Sequence, residues 1–266
     1  MDRCLVMFNR ILVSVPQEQF PQLALERGKD LTERLDSEIY LSYIIEDNVF
    51  EEVSDRIRHV VTEKESQKFE RKMTRTHEKV AKKVILKEAE RILGEEPDEF
   101  IVQKGNFSRS LLDSIEYHDA DTLLMEYESY NLMKYRIMDI SPVPVWIERH
   151  EGDIKKIGLF CTNLSPNRMA PRAARRLQKA FNAKVQAYYV NDPAGDVDKE
   201  EPGEISDMYR LKWEEIATEK VDRYIFTKAR EEDFDLIILG RIRKRGYFHL
   251  RSRFAKRTNC SVLLMN

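Results

Sequence analysis

The sequence predicts an α/β protein made of two doubly wound parallel-sheet domains. Short, nearly continuous apolar runs alternate with amphipathic helical patterns, as expected of strands buried on both faces with helices laid across them. The pattern then occurs twice, since RILVSVP at 10–16 aligns with KIGLFCT at 156–162 at an offset of 146 residues. Its later part recurs at a smaller offset, 114, so the second copy has lost 32 residues in between.

In the first copy, RILVSVP predicts the opening strand, LALERGKDLTERL (23–35) the first helix and EIYLSYII (38–45) the second strand. A very long helical pattern follows, roughly Phe50 to Leu93, with apolar residues at Val53, Ile57, Val60 and Val61 and again at Met73, Val80 and Val84. Two readings fit it. One is a single helix that outruns the sheet and packs its excess against the other copy or a second chain. The other is two ordinary helices with an exposed kink or loop at 62–72, over the polar interval TEKESQKFERK. EFIVQKGN then predicts a third strand, SLLDSIEYHDADTLLM (110–125) a helix and the fourth strand, and VPVWI (143–147) the closing strand.

The second copy repeats this order with APRAARRLQKAF, KVQAYYV, YIFTKAREEDFDLIIL (224–239) and CSVLLM (260–265), with no legible third strand. It is therefore expected to lack that strand, with domains at 1–150 and 151–266.

Composition narrows the class. At 266 residues with 42% hydrophobic content, the chain can bury a core in each of two domains. No apolar run approaches the ~20 residues that span a bilayer, and MDRCLVMFNR lacks the apolar stretch of a secretory signal. A cytoplasmic location is expected. Cys4, Cys161 and Cys260 are odd in number and widely spaced, and read as buried thiols. The net charge of −2 divides into −8 over residues 1–150 and +6 over 151–266. Complementarity between two packed domains accounts for this better than an acidic partner, because a nucleic-acid binder is usually basic overall.

The order RILVSVP, helix, second strand, long helix, VQKG (Val102 to Gly105), SLLDSIEYHDADTLLM and a terminal VPVWI resembles the universal stress protein family in a tandem form. The segment DLIILG ending at Gly240 is the other specific piece. The resemblance implies a strand order 3-2-1-4-5 with the third strand at an edge, whose loss from the second copy would break one ladder only. It also implies a ligand crevice beyond the carboxyl ends of the first and fourth strands, where the winding reverses. ATP-binding members carry an Asp and a nearby Ser after the first strand. After the fourth they carry G-x-x-G-x9-G-[ST], whose glycines let backbone N–H groups wrap phosphate.

Against that pattern the first copy fails: Glu126 replaces the glycine, Glu128 follows, and Pro16-Gln17-Glu18 lacks the Asp and Ser. Two carboxylates there would repel a phosphate. The second copy keeps part of the pattern. Asn163-Leu164-Ser165 stands for Asp-x-Ser, and Gly240 is in place, but Arg243 occupies the second glycine position and no later Gly-Ser or Gly-Thr pair occurs. In place of a wrapped triphosphate loop, Arg241, Arg243 and Arg245 would grip a smaller anion by charge and bidentate contacts. The expected site is Thr162, Asn163, Ser165, Val190, Gly240, Arg241, Arg243 and Arg245. Val190 enters because the family presents backbone groups there to adenine. AMP or ATP is the expected ligand class, and a solvated basic turn is the alternative.

Elsewhere the chain offers little chemistry. Gly240 to Asn266 holds eight basic residues and no acidic one, with Tyr247, Phe248 and His249 interleaved. A basic helix with core aromatics explains this more simply than base stacking. The five histidines show no metal-ligand spacing, and no P-loop, G-x-S-x-G or Cys-x-x-Cys occurs. The expectation is a non-enzymatic binding or regulatory protein. It would form a homo-oligomer, or a pseudo-dimer through repeat packing and the long helix. A slow nucleotide hydrolase or nucleotidyl-transfer relative, and a pure protein-interaction module, are the competing classes.

Overall fold

The computed structural model describes residues 7–17, 19–46, 63–127, 136–163, 169–193, 211–240 and 257–265. The chain forms two compact units, Asn9–Leu123 and Met1–Phe8 with Leu124–Asn266.

The unit Asn9–Leu123 starts with β1 (Arg10–Val15), α1 (Gln22–Leu35) and β2 (Glu38–Glu46). Helix α2 (Glu63–Val80) then continues through a π-helical segment, Ala81–Ile85, into α3 (Leu86–Leu93). β3 (Glu99–Gly105), α4 (Phe107–Tyr117) and the start of β4 (Thr122–Glu126) complete the unit. The strand order is β3-β2-β1-β4. β1 buries every residue after Arg10, which is why its sequence is a continuous apolar run. α1 buries Ala24, Leu25, Gly28 and Leu31 at helical spacing and stops where Asp36 turns left-handed. α3 stops at Gly94, whose φ of 84° favours glycine. Asn106 starts α4 by accepting the Arg109 N–H on its side chain. Residues 63–93 are thus helical without a break, so of the two readings the loop at 62–72 is not formed over 63–72. Residues 50–62 of that pattern lie outside the described residues.

The second unit contains the rest of β4, α5 (Ile137–Ile140), β5 (Val145–Glu148), β6 (Lys156–Thr162), α6 (Met169–Phe181), β7 (Lys184–Asn191), β8 (Trp213–Ala217), α7 (Val221–Glu231), β9 (Leu236–Leu239) and β10 (Ser261–Leu264). Its order is β4-β5-β10-β9-β6-β7-β8. β10, β9, β6, β7 and β8 pair in parallel, whereas β10 meets β5 antiparallel, with Leu263 opposite Trp146. The core of this unit is aromatic: Phe160 stacks on Tyr188 at 4.9 Å, and Phe234 stands edge-on to both.

The duplication read in the sequence is repeated in backbone detail. β1 pairs with β2 from Arg10↔Glu38, and β6 with β7 from Lys156↔Lys184, both at the offset of 146. The left-handed residues match as well, Asp36 with Asn182 at 146 and Asp119 with Asp233 at 114. At the start of the first strand, Asp121 accepts the N–H groups of Asn9 and Arg10 on Oδ2, and Asp235 accepts those of Lys155 and Lys156. The basic residue opening the first strand then donates to the carbonyl that ends the helix before the fourth strand: Arg10 to His118, Lys156 to Glu232. A cation there also meets the negative end of the helix dipole.

One expectation is corrected. The second copy does possess its third strand: β8 lies at the edge of the sheet and pairs in parallel with β7, Ala187↔Trp213 to Asn191↔Ala217. The order β10-β9-β6-β7-β8 is therefore the full 5-4-1-2-3. The residues lost from the second copy come out of the long helical stretch before the strand. WEEIA escapes a sequence reading because an edge strand carries charge; Glu214 and Glu215 are exposed, and no residue of β8 is fully buried.

Candidate nucleotide or anion crevice

In an open parallel sheet a ligand crevice forms beyond the carboxyl ends of the strands where the winding reverses. In the second unit this point lies between β6 and β9, with the end of β7 beside it. Thr162 ends β6, is 3% exposed, and pairs with Val190 of β7, which is fully buried. Asn163 follows and is committed to structure. Its Nδ2 donates to the Asp192 carbonyl at 2.9 Å, and its Oδ1 accepts the Asp192 N–H at 2.8 Å. This amide-to-backbone pair draws the ends of β6 and β7 together and leaves Asp192 1% exposed. Asn suits the position because its amide presents a donor and an acceptor side by side, matching the carbonyl and N–H of one backbone residue. Gly240 is buried at the end of β9, and its N–H is directed to the Phe160 carbonyl at 3.3 Å. That donor belongs to the sheet ladder and is not offered to a ligand.

Thr162, Asn163, Val190 and Gly240 thus gather at one end of the sheet as the sequence suggests. Ser165, Arg241, Arg243 and Arg245 lie outside the described residues. Sequence reasoning missed Asp192. Its signal was available: at the offset of 146 it matches Glu46, so both copies place a carboxylate just where the second strand ends. In the first copy Gln17 corresponds to Asn163, and its Oε1 is buried without a hydrogen-bond partner among the described residues. Glu126, the counterpart of Gly240, ends β4 half-buried.

Two cavities lie elsewhere. One of about 370 Å³, beside Lys29, Thr32, Ile39 and Leu93, sits at the amino ends of β2 and β3. Glu33, Glu95, Glu96 and Asp98 line it with Lys29, an acidic excess that is no setting for a phosphate. The other, about 380 Å³, lies along α7.

The fold and the crevice together define the class of open, doubly wound parallel α/β proteins whose ligands bind at the carboxyl edge of the sheet. Within it, the universal stress protein family model matches residues 7–141, and the chain belongs to that family. Among solved structures, a protein from Pseudomonas aeruginosa UCBPP-PA14 assigned to the universal stress proteins has a TM-score of 0.65 at 12% identity, over 97% of this chain and 93% of its own. A protein of unknown function from P. aeruginosa PAO1 has a TM-score of 0.62 at 11% identity, over 97% and 92%. A universal stress protein from Archaeoglobus fulgidus DSM 4304 has 0.60 at 15%, over 98% and 97%. Each likeness extends over both copies and is one of fold. No curated protein sequence matches this chain.

Proposed function

We propose that this chain is a non-enzymatic, tandem universal-stress-type binding protein of the cytoplasm. Its two copies, 1–150 and 151–266, have diverged: the first serves as a structural partner, and the second keeps at most one site for AMP, ATP or a related phosphate ester. The supporting observation is how the backbone at the β6–β9 switch point is spent. The Asn163 amide consumes both backbone groups of Asp192, and the Gly240 N–H points back into the ladder. Backbone wrapping of a triphosphate is therefore unavailable from these groups. Recognition falls to side chains, and the cations nearest in sequence are Arg241, Arg243 and Arg245. Thr162 at the end of β6 and Ser165 after it would supply hydroxyls, and Val190 near the end of β7 the surface against which a base would lie.

The test is calorimetric titration with AMP and with ATP, alongside phosphate release by the same preparation. Stoichiometric binding that Arg243→Glu abolishes, without turnover, supports the reading. Turnover that scales with protein and survives repeated purification favours the hydrolase class instead. Absence of binding by both nucleotides leaves a protein-interaction module.

A further inference from the structure

The cavity along α7 is lined by Asp222, Arg223, Phe226, Thr227, Arg230 and Arg257. Arg223 and Arg230 are seven residues apart, two helical turns, and so project from one face of α7 with Phe226 and Thr227 between them. Arg257 approaches from a different part of the chain, four residues ahead of β10. Its guanidinium lies 5.8 Å from the centre of the Phe226 ring. Three cations from two parts of the chain therefore line one cavity with an aromatic ring, and a single carboxylate, Asp222, stands among them.

Pairing is the discriminating observation. Arg10, Arg27 and Arg91 each hold a carboxylate, at 3.0, 2.7 and 2.6 Å, and Arg149 donates to the Thr258 carbonyl at 2.7 Å. Arg223, Arg230 and Arg257 have no ion pair among the described residues, although Asp222 lies in the same cavity. Like charges gathered without a counter-ion repel one another, and an anion entering between them relieves that repulsion.

We propose that this cavity is an anion site, separate from the β6–β9 crevice, for a small phosphorylated molecule carrying two or more negative charges. Guanidinium forks match phosphoryl oxygens bidentately, and three of them meet a diphosphate better than a single carboxylate. The Thr227 hydroxyl supplies a neutral donor, and a volume of about 380 Å³ admits a diphosphate ester but no macromolecule.

The probe is inorganic pyrophosphate, titrated calorimetrically into the full chain at low ionic strength. One binding event per chain is expected, with a dissociation constant raised about tenfold or more by Arg223→Glu and by Arg230→Glu. Both side chains are exposed, so both variants should fold. Arg109→Glu, an exposed site on α4 with the same charge change, should leave the constant as it is. Asn163→Ala should do the same, which separates this site from the crevice. Equal weakening by Arg109→Glu would reduce the effect to net charge and overturn the site. Loss on Asn163→Ala alone would move the pyrophosphate to the crevice, and no binding by the unaltered chain would also overturn the proposal.

Discussion

His118 shows how one side chain can make stability depend on pH. It is 5% exposed, its ring is tilted 31° to that of Tyr40 at 4.4 Å between centres, and Nε2 has no hydrogen-bond partner among the described residues. Burial pushes its pKa below the usual histidine value, and Glu99, 3.6 Å from Nδ1, only partly opposes this. The unfolded chain therefore binds the proton more readily than the folded one. Stability is complete above the unfolded pKa of about 6.5 and declines as pH falls towards the lowered folded value. His118→Phe should flatten that decline, measured as melting temperature against pH from 8 to 5. Glu148 represents the opposite case, a fully buried carboxylate with every neighbour satisfied. It accepts the Trp146 indole N–H at 3.1 Å, the backbone N–H groups of Arg149 and His150 at 2.9 Å, and the Ser261 hydroxyl. Glu148→Ala strands those donors and should cost about 3 kcal/mol in urea unfolding. Glu88→Ala, which removes an exposed partner of Arg91, should cost nothing measurable. Packing makes a fourth prediction. A Cβ on Gly158 would sit 2.9 Å from the Phe234 ring, which neighbouring aromatics hold in place, so Gly158→Ala should cost about 1–3 kcal/mol.

At the scale of elements, the strands and helices that span a full period of apolar residues were legible, and the exceptions have physical causes. β1, β6 and β9 bury nearly all their residues, so their sequences announce them. β8 does not, because its outer edge faces water and it needs little apolar content. Ile216→Pro is expected to break the β7–β8 ladder opposite Val190, lowering protection of the Val190 and Asn191 amides in hydrogen exchange while β6 stays protected. The Asp121 and Asp235 devices were visible only as acidic residues before a strand. Their role depends on two backbone N–H groups more than seventy residues away in sequence, a distance across which no local pattern reports. Asp235→Ala should therefore cost more than a surface substitution, about 2 kcal/mol in thermal or urea unfolding. The long helix was legible by its period, but its exposed residues were not. Val80 and Val84 are 45% and 60% exposed, because a helix longer than the sheet carries apolar residues past the surface it covers.

For the molecule as a whole, the sequence by itself determined the duplication, the alternation of strands and helices, and the family. These follow from residue type and spacing: buried strands must be apolar, helices must repeat every 3.6 residues, and a duplicated chain keeps its offsets. The strand order implied by the family resemblance recurs in the structure, and it puts the reversal of winding in the second copy between β6 and β9. Only the tertiary structure decided that the second copy retains its edge strand. It decided as well that Asn163 serves Asp192 before any ligand, and that Arg257 joins Arg223 and Arg230 of α7 in lining one cavity. Each of these is a meeting of residues far apart in the chain, in which a hydrogen bond or charge finds its partner through space. Sequence spacing constrains neighbours within an element, whereas the partner of a side chain is chosen by the packing of different elements against one another.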